Sequence, residues 1–189
     1  MRQIRASDIA PVPWRNGGGL TRELLAWPST DDWRLRLSMA DIAQDGPFSA
    51  FPGVTRAFVV LEGQGVSLDF PQGKQIVRPG DAPLRFDGGT APHCQLLGGP
   101  VRDFNLMVRG GHGGLQNASA SPWRPPANSL AGLLTRVAGT WRAGPLFLEL
   151  EAHTLLWPDR GSEAWSFHAH HPMPETVAGW WFYHEETNA

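Results

Sequence analysis

The chain has 189 residues, 41% hydrophobic and 18% charged, with 22 Gly and 17 Pro. So many helix breakers exclude a helical bundle, and the apolar share excludes a disordered chain. A formal charge of -2 gives no basic excess for nucleic acid, a single cysteine excludes an intrachain disulfide, and no run of about 18 apolar residues is present to span a membrane.

The opening MRQIRASDIA lacks the apolar run of about 7–15 residues that a signal peptide needs, so the expected location is the cytoplasm. Next comes PWRNGGGLTRE, from Pro13 to Glu23. Three consecutive glycines lose much chain entropy on ordering. A folded domain keeps them where the backbone must take positive φ or pass close to another group. Their amides can receive an anion, or they can form only a loop leading into a strand at Leu20–Trp27. No Gly-Lys-Ser/Thr follows, so the run is not a phosphate loop.

Period-two alternation then takes over. Trp33, Leu35, Leu37 and Met39 share one strand face, and Arg34, Arg36, Ser38 and Ala40 the other. The segment Asp45–Arg56 holds two Pro, two Gly and two Phe, as an ordered loop pinned by aromatics would. Arg56 opens a buried strand, Thr55–Leu61, and its charge must be paired or solvated there. A ligand carboxylate would serve, and so would Asp41, Asp45 or Asp69. Glu62-Gly63-Gln64-Gly65 turns the chain into a second arm, Val66–Phe70. Turns at Pro71-Gln72-Gly73 and Arg78-Pro79-Gly80-Asp81 flank a short strand, Gln75–Val77.

Strands are predicted at Pro83–Phe86, His93–Leu97 and Arg102–Arg109. Cys94 reads as a small core residue, since its neighbour His93 points to the opposite face. Asp103, Asn105, Met107 and Arg109 share one face of the last strand. With Arg36 and Ser38 they form polar faces that either converge inside a barrel or point to solvent. Residues 110–128 are rich in Gly, Ser and Pro and read as a linker between halves 1–110 and 125–189. Beyond it, a short helix is predicted at Ser129–Leu134 after an Asn128 or Ser129 cap. Strands follow at Leu133–Ala138, Pro145–Leu156, Glu163–Ala169 and Gly179–His184. Regular strand spacing without helix alternation predicts an all-β antiparallel barrel or sandwich.

The elements PWRNGGGLTREL, SMADIAQDGPFSAFPGVTRAFVVLEGQG and DFNLMVR, in that order and spacing, resemble the HutD/Ves family across residues 9–110. The resemblance implies a bicupin, two small antiparallel β-barrels from one chain, in which strands can exchange between halves. It implies a small-molecule binding role without a cofactor, rather than an established catalytic one. HutD members are linked to histidine utilisation, where they are thought to bind an intermediate such as N-formylglutamate. Ves members are linked to cold and stress response. The motif positions carried over as ligand-binding are Asn16, Gly17, Gly18, Gly19, Thr21, Arg36, Ser38, Phe48, Ser49, Arg56, Asn105 and Met107. In this reading Arg56 pairs a ligand carboxylate, and Arg36 is a second cation or an internal partner. Asn16, Thr21, Ser38 and Asn105 exchange neutral hydrogen bonds, while Phe48 and Met107 wall the site.

A rival reading is a metal-dependent cupin enzyme, an isomerase or dioxygenase. His168-Ala169-His170 puts two imidazoles on one strand face, and Glu175 follows after four residues. Glu23 could serve as a general base if buried, but reads more simply as an exposed strand carboxylate. Trp157, Trp165, Trp180 and Trp181 suit either a core or the seam of a homodimer.

Overall fold

A computed structural model describes residues 1–158, 163–171 and 177–186. The chain forms two compact units. One is Ile9–Gly110, and the other joins Met1–Asp8 to the residues from Gly111 onward. The first strand, β1 (Arg2–Arg5), therefore belongs with the C-terminal part of the chain, and a 3-10 turn at Ala6–Asp8 leads out of it. The expected halves shift accordingly, to begin at Ile9 and Gly111.

The unit Ile9–Gly110 has two antiparallel sheets. Its strands are β2 (Val12–Pro13), β3 (Gly19–Trp27), β4 (Leu35–Ile42), β5 (Gly46–Pro47), β6 (Val54–Glu62), β7 (Val66–Phe70), β8 (Gly73–Val77), β9 (Leu84–Asp87), β10 (His93–Leu96) and β11 (Val101–Arg109). The larger sheet runs β2-β3-β4-β11-β6-β9 and the smaller β5-β10-β7-β8. Strand alternation turns Ile42, Phe58, Val60 and Val101 of the larger sheet toward Val66, Leu68, Val77 and Cys94 of the smaller, and these form one buried cluster. Phe48 packs into it, its ring 5.7 Å from that of Phe58. The β6–β7 turn needs its glycine. Gly63 has φ +95°, and a Cβ there would lie 2.7 Å from the Pro100 carbonyl oxygen.

The other unit adds β12 (His112–Asn117), β13 (Leu130–Thr135), β14 (Gly139–Ala143), β15 (Leu146–Leu150), β16 (Thr154–Trp157), β17 (Trp165–Ala169) and β18 (Gly179–Glu185). Its sheets run β1-β16-β13-β18-β12 and β15-β14-β17. Leu133, Trp141, Leu150, Leu156, Trp165, Phe167 and Trp181 fill the space between them. Trp123 stacks on Trp181 at 5.2 Å with the rings 3° from parallel. Each unit is thus a small two-sheet antiparallel barrel, and the chain is an all-β bicupin. No helix among the described residues is long and apolar enough to cross a membrane.

Three expectations need correction. The predicted helix at Ser129–Leu134 is β13, a strand hydrogen-bonded on both sides. Leu-Ala-Gly-Leu-Leu is buried on both faces, so neither helical nor strand periodicity marks it, and the ladder decides. The supposed linker carries β12, paired with β18 from His112 to Asn117, and Trp123 exchanges two backbone hydrogen bonds with Trp165. Glycine hides this strand because the large side chains of the pair come from β18. The run Pro145–Leu156 is two strands, separated at Glu151–His153, where His153 takes φ 56°.

Candidate functional site

Four neighbouring strands bring polar groups to the interior face of the larger sheet in the unit Ile9–Gly110. The register sets Asn105 of β11 beside Ser38 of β4 and Phe58 of β6, and Met107 beside Arg36 and Arg56. Glu23 of β3 lies beside Ser38. These side chains share a face with Phe58 and Val60, so the polar faces converge inside the barrel rather than meeting solvent.

Arg56 is the centre of this group. It is 5% exposed, and its Nη2 donates to Asn105 Oδ1 at 2.5 Å. Its Nε is buried and has no hydrogen-bond partner. Among the described residues no carboxylate lies within ion-pair distance of it. The guanidinium carbon instead sits 5.1 Å from the Phe48 ring centroid, 5.0 Å from Phe86 and 6.0 Å from Phe51. Aromatic faces stabilise a guanidinium without satisfying its N–H donors. Burial lowers the Arg56 pKa to about 10, Asp103 opposes that shift, and Arg36 adds to it by like-charge repulsion. The group still carries its charge at neutral pH.

Asn105 links Arg56 to a second buried group. Its Nδ2 donates to Asp103 Oδ1 at 2.5 Å, and Asp103 is 1% exposed. Burial pushes the Asp103 carboxyl up to about 8, against the pull of Arg56 and of the Asn105 hydrogen bond. Arg36 is held differently. Its Nε donates to Glu23 Oε2 at 2.7 Å, and its Nη1 approaches Met107 Sδ at 4.0 Å. At neutral pH the face therefore carries two guanidiniums against one carboxylate, one positive charge in excess. An anion fits that excess, and a carboxylate can use the idle Nε edge of Arg56.

The other sequence-predicted residues divide. Phe48, Ser38, Met107, Arg36 and Asn105 stand in the group around Arg56. Thr21 lies on the same strand face as Glu23, but its Oγ1 accepts from Trp14 Nε1 at 2.7 Å. The glycine run makes a tight turn that uses its own polar atoms. Gly17 N–H donates to the Trp14 carbonyl at 3.0 Å and Gly18 N–H to Asn16 Oδ1 at 3.0 Å. Gly19 is packed so closely that a Cβ would stand 2.6 Å from the Asp41 carbonyl oxygen. Ser49 is exposed in the loop before β6. Glu23, read from sequence as an exposed carboxylate, is half-buried and paired with Arg36. Strand alternation places Asp103 on this face but assigns it no role. Its signal was the spacing Asp103-Phe104-Asn105, which sets an acid and an amide side by side on one strand face.

The C-terminal histidines stand elsewhere. Trp165, Phe167 and Trp141 turn inward, which leaves His168 on the exposed outer side of β17. His170 is also exposed, its Nε2 2.7 Å from Glu149 Oε2. Glu175 lies outside the described residues. Trp157, Trp165, Trp180 and Trp181 are all buried within the chain itself. Cys94 is 1% exposed and burial pushes its thiol up to about 12, which removes it as a nucleophile.

Comparisons with known proteins agree with this architecture. Residues 6–170 match the model of the family described as HutD, well beyond the segment in which the sequence motifs lie. An uncharacterized 21.2 kDa protein in the hutC 3' region of Pseudomonas putida is 41% identical over 110 residues, 57% of each chain. The match thus spans little more than half of that relative's length. Protein Ves of Citrobacter koseri is 33% identical over 146 residues, covering 75% of this chain and 76% of Ves. The structure of HutD from Pseudomonas fluorescens SBW25 superposes with a TM-score of 0.77 at 28% identity, over 97% of this chain and 96% of that one.

Proposed function

The chain belongs to the HutD family, and on that premise we propose that it binds a small carboxylate metabolite at Arg56 and acts as a regulator of histidine degradation in the cytoplasm. The observation that carries this reading is the Arg56 guanidinium, 5% exposed, with a buried Nε that has no hydrogen-bond partner. Burying a cation without a counter-ion is costly, and a protein retains such a group where a ligand repays it. One Asn carbonyl oxygen and three aromatic rings hold the guanidinium in place, and its Nε with an Nη has the geometry for two parallel N–H···O bonds to a carboxylate. Arg36, with Nε already on Glu23, offers its remaining N–H groups to a second polar function of the same ligand.

The ligand of choice is N-formylglutamate or a related intermediate. Its second carboxylate meets the remaining N–H groups of Arg36, and its formyl oxygen is a neutral acceptor for Ser38. The hutC 3' region in the name of the Pseudomonas putida relative supports the tie to histidine degradation. Calorimetric titration tests the reading, with glutamate, formiminoglutamate and urocanate as comparators. N-formylglutamate is expected to saturate one site and to bind more tightly than the comparators. Arg56→Gln should weaken it at least ~100-fold, about 2.7 kcal/mol, with the circular dichroism of the fold retained. An unchanged Kd in that variant removes Arg56 from the site.

A further inference from the structure

Asp103 takes no part in the reading above, yet it is the most deeply buried carboxyl among the described residues of the unit Ile9–Gly110, at 1% exposure. Its position is specific. Asp103, Asn105 and Arg56 form a continuous hydrogen-bonded chain on the interior face, with both links through the Asn105 amide. No cation among the described residues lies within ion-pair distance of its carboxyl. We propose that Asp103 sets the charge of the Arg56 site: the site takes a carboxylate while Asp103 holds its proton, and loses it when Asp103 ionises. This inference rests on the carboxylate reading of Arg56.

The physical basis is competition for one guanidinium. Ionised, Asp103 becomes an internal counter-ion for Arg56, transmitted through the polarised Asn105 amide. The positive excess that attracts the ligand is then cancelled. Protonated, it leaves that excess intact. Coupling is reciprocal, so an anion on Arg56 must also make Asp103 hold its proton more tightly. Burial already places that transition near pH 8.

The surrounding groups leave Asp103 in control of this transition. Arg56 faces it from β6, and Arg36 stands nearby on β4 in its ion pair with Glu23 of β3. Cys94 faces it from β10, and its thiol, near 12, stays neutral throughout. Asp41, on the opposite face of β4, is raised by burial but held below its ordinary value on balance by Arg102 and Arg22. Asp45, before β5, accepts from the Leu96 backbone N–H, and His93 lies on the exposed side of β10. From β7, β8 and β9 the interior receives only apolar side chains, among them Leu68, Val77 and Phe86.

The test uses the full chain and N-formylglutamate, whose carboxylates stay ionised and which has no amine to titrate. Calorimetric Kd values are compared at pH 6.5 and 9.0, both below the Arg56 midpoint of about 10. Wild type should weaken about tenfold across this interval and take up a fraction of a proton on binding at pH 8, seen as a buffer-dependent heat. Asp103→Asn should bind with the same Kd at both pH values. In parallel, carboxyl carbon NMR of the unliganded wild-type chain should show Asp103 titrating well above the ordinary carboxylate range. A wild-type Kd that does not change with pH overturns the proposal. So does wild-type pH dependence surviving in Asp103→Asn, or an Asp103 carboxyl that titrates near 4, a result independent of whether the variant folds. Absence of binding at both pH values is a different failure. It defeats the carboxylate reading itself and this inference with it.

Discussion

Asp103 also leaves a mark on stability that needs no ligand. Its carboxyl has an ordinary value of 3.8 when the chain is unfolded and about 8 when folded, because burial penalises the charged form. Below pH 4 both states hold the proton and the group is neutral to folding. Between about 4 and 8 the unfolded state releases its proton while the folded state keeps it, so stability falls as pH rises, by at most ~1.4 kcal/mol per pH unit. Above 8 the loss levels off. Asp103→Asn keeps the shape and removes the titration, so it should equal wild type in urea midpoint near pH 4 and exceed it by a few kcal/mol in unfolding free energy at pH 8.5. Equal midpoints at both pH values would show that the carboxyl is not buried as described. An acid that lowers stability at working pH is kept for another reason, and the Asn105 link to Arg56 supplies one. Residue-level chemistry was partly legible in sequence. Arg56 stood out because a charge opened an apolar strand, and the structure supplies none of the three acidic partners considered for it. Asp103 is not legible as a site residue, because alternation gives a residue's face but not its depth.

At the scale of the element, the glycine run shows how one backbone requirement can be read and another missed. Consecutive glycines imply positive φ or close approach, and the turn uses both. Gly17 has φ +71°, and Gly19 opens β3 against the backbone of β4. Gly19 also lies under the Trp14 ring, 3.2 Å from where a Cβ would be, while the Asp41 oxygen would be at 2.6 Å. Neither neighbour can yield cheaply, since one is strand backbone and the other is held by its bond to Thr21. Gly19→Ala should therefore cost about 2 kcal/mol or more, read as a lowered urea midpoint with an unchanged slope. Gly18→Ala meets nothing closer than 3.4 Å from its own neighbour Asn16 and should cost less. The strands of this unit were legible for a related reason. β4 keeps an apolar-polar alternation although it is buried on both faces, and β6 is an apolar run closed by the Glu62–Gly65 turn. β13 and β12 were not. β13 is apolar on both faces, and β12 has glycines where its partner has Tyr183 and His184. β12 pairs with β18, more than sixty positions away, and β13 with β16 and β18, about twenty and about fifty positions away, which no local pattern encodes.

At the scale of the whole molecule, the least legible feature is where the N-terminus goes. Nothing in MRQIRASD shows that it pairs with Thr154–Trp157, a partner about 150 residues distant, rather than with the strand that follows it. The pairing places β1 at the edge of the sheet β1-β16-β13-β18-β12, so a chain that begins in one barrel builds its second strand in the other. Folding of the C-terminal unit then needs both ends of the chain, and the strand it borrows is short. The Ala6 N–H donates to the His153 carbonyl at 2.9 Å, and antiparallel alternation makes Ile4, opposite Leu155, the next hydrogen-bonded position. Ile4→Pro removes that donor and bars the residue from a paired ladder position. Amide exchange in the variant should rise about tenfold or more through Thr154–Trp157, the segment that loses its edge partner. Val12 and Gly19–Trp27, nearer in sequence but paired among themselves, should keep their protection. Exchange that rose instead in β2 and β3, with β16 unchanged, would place the N-terminal strand in the barrel that follows it in sequence and would refute the crossover.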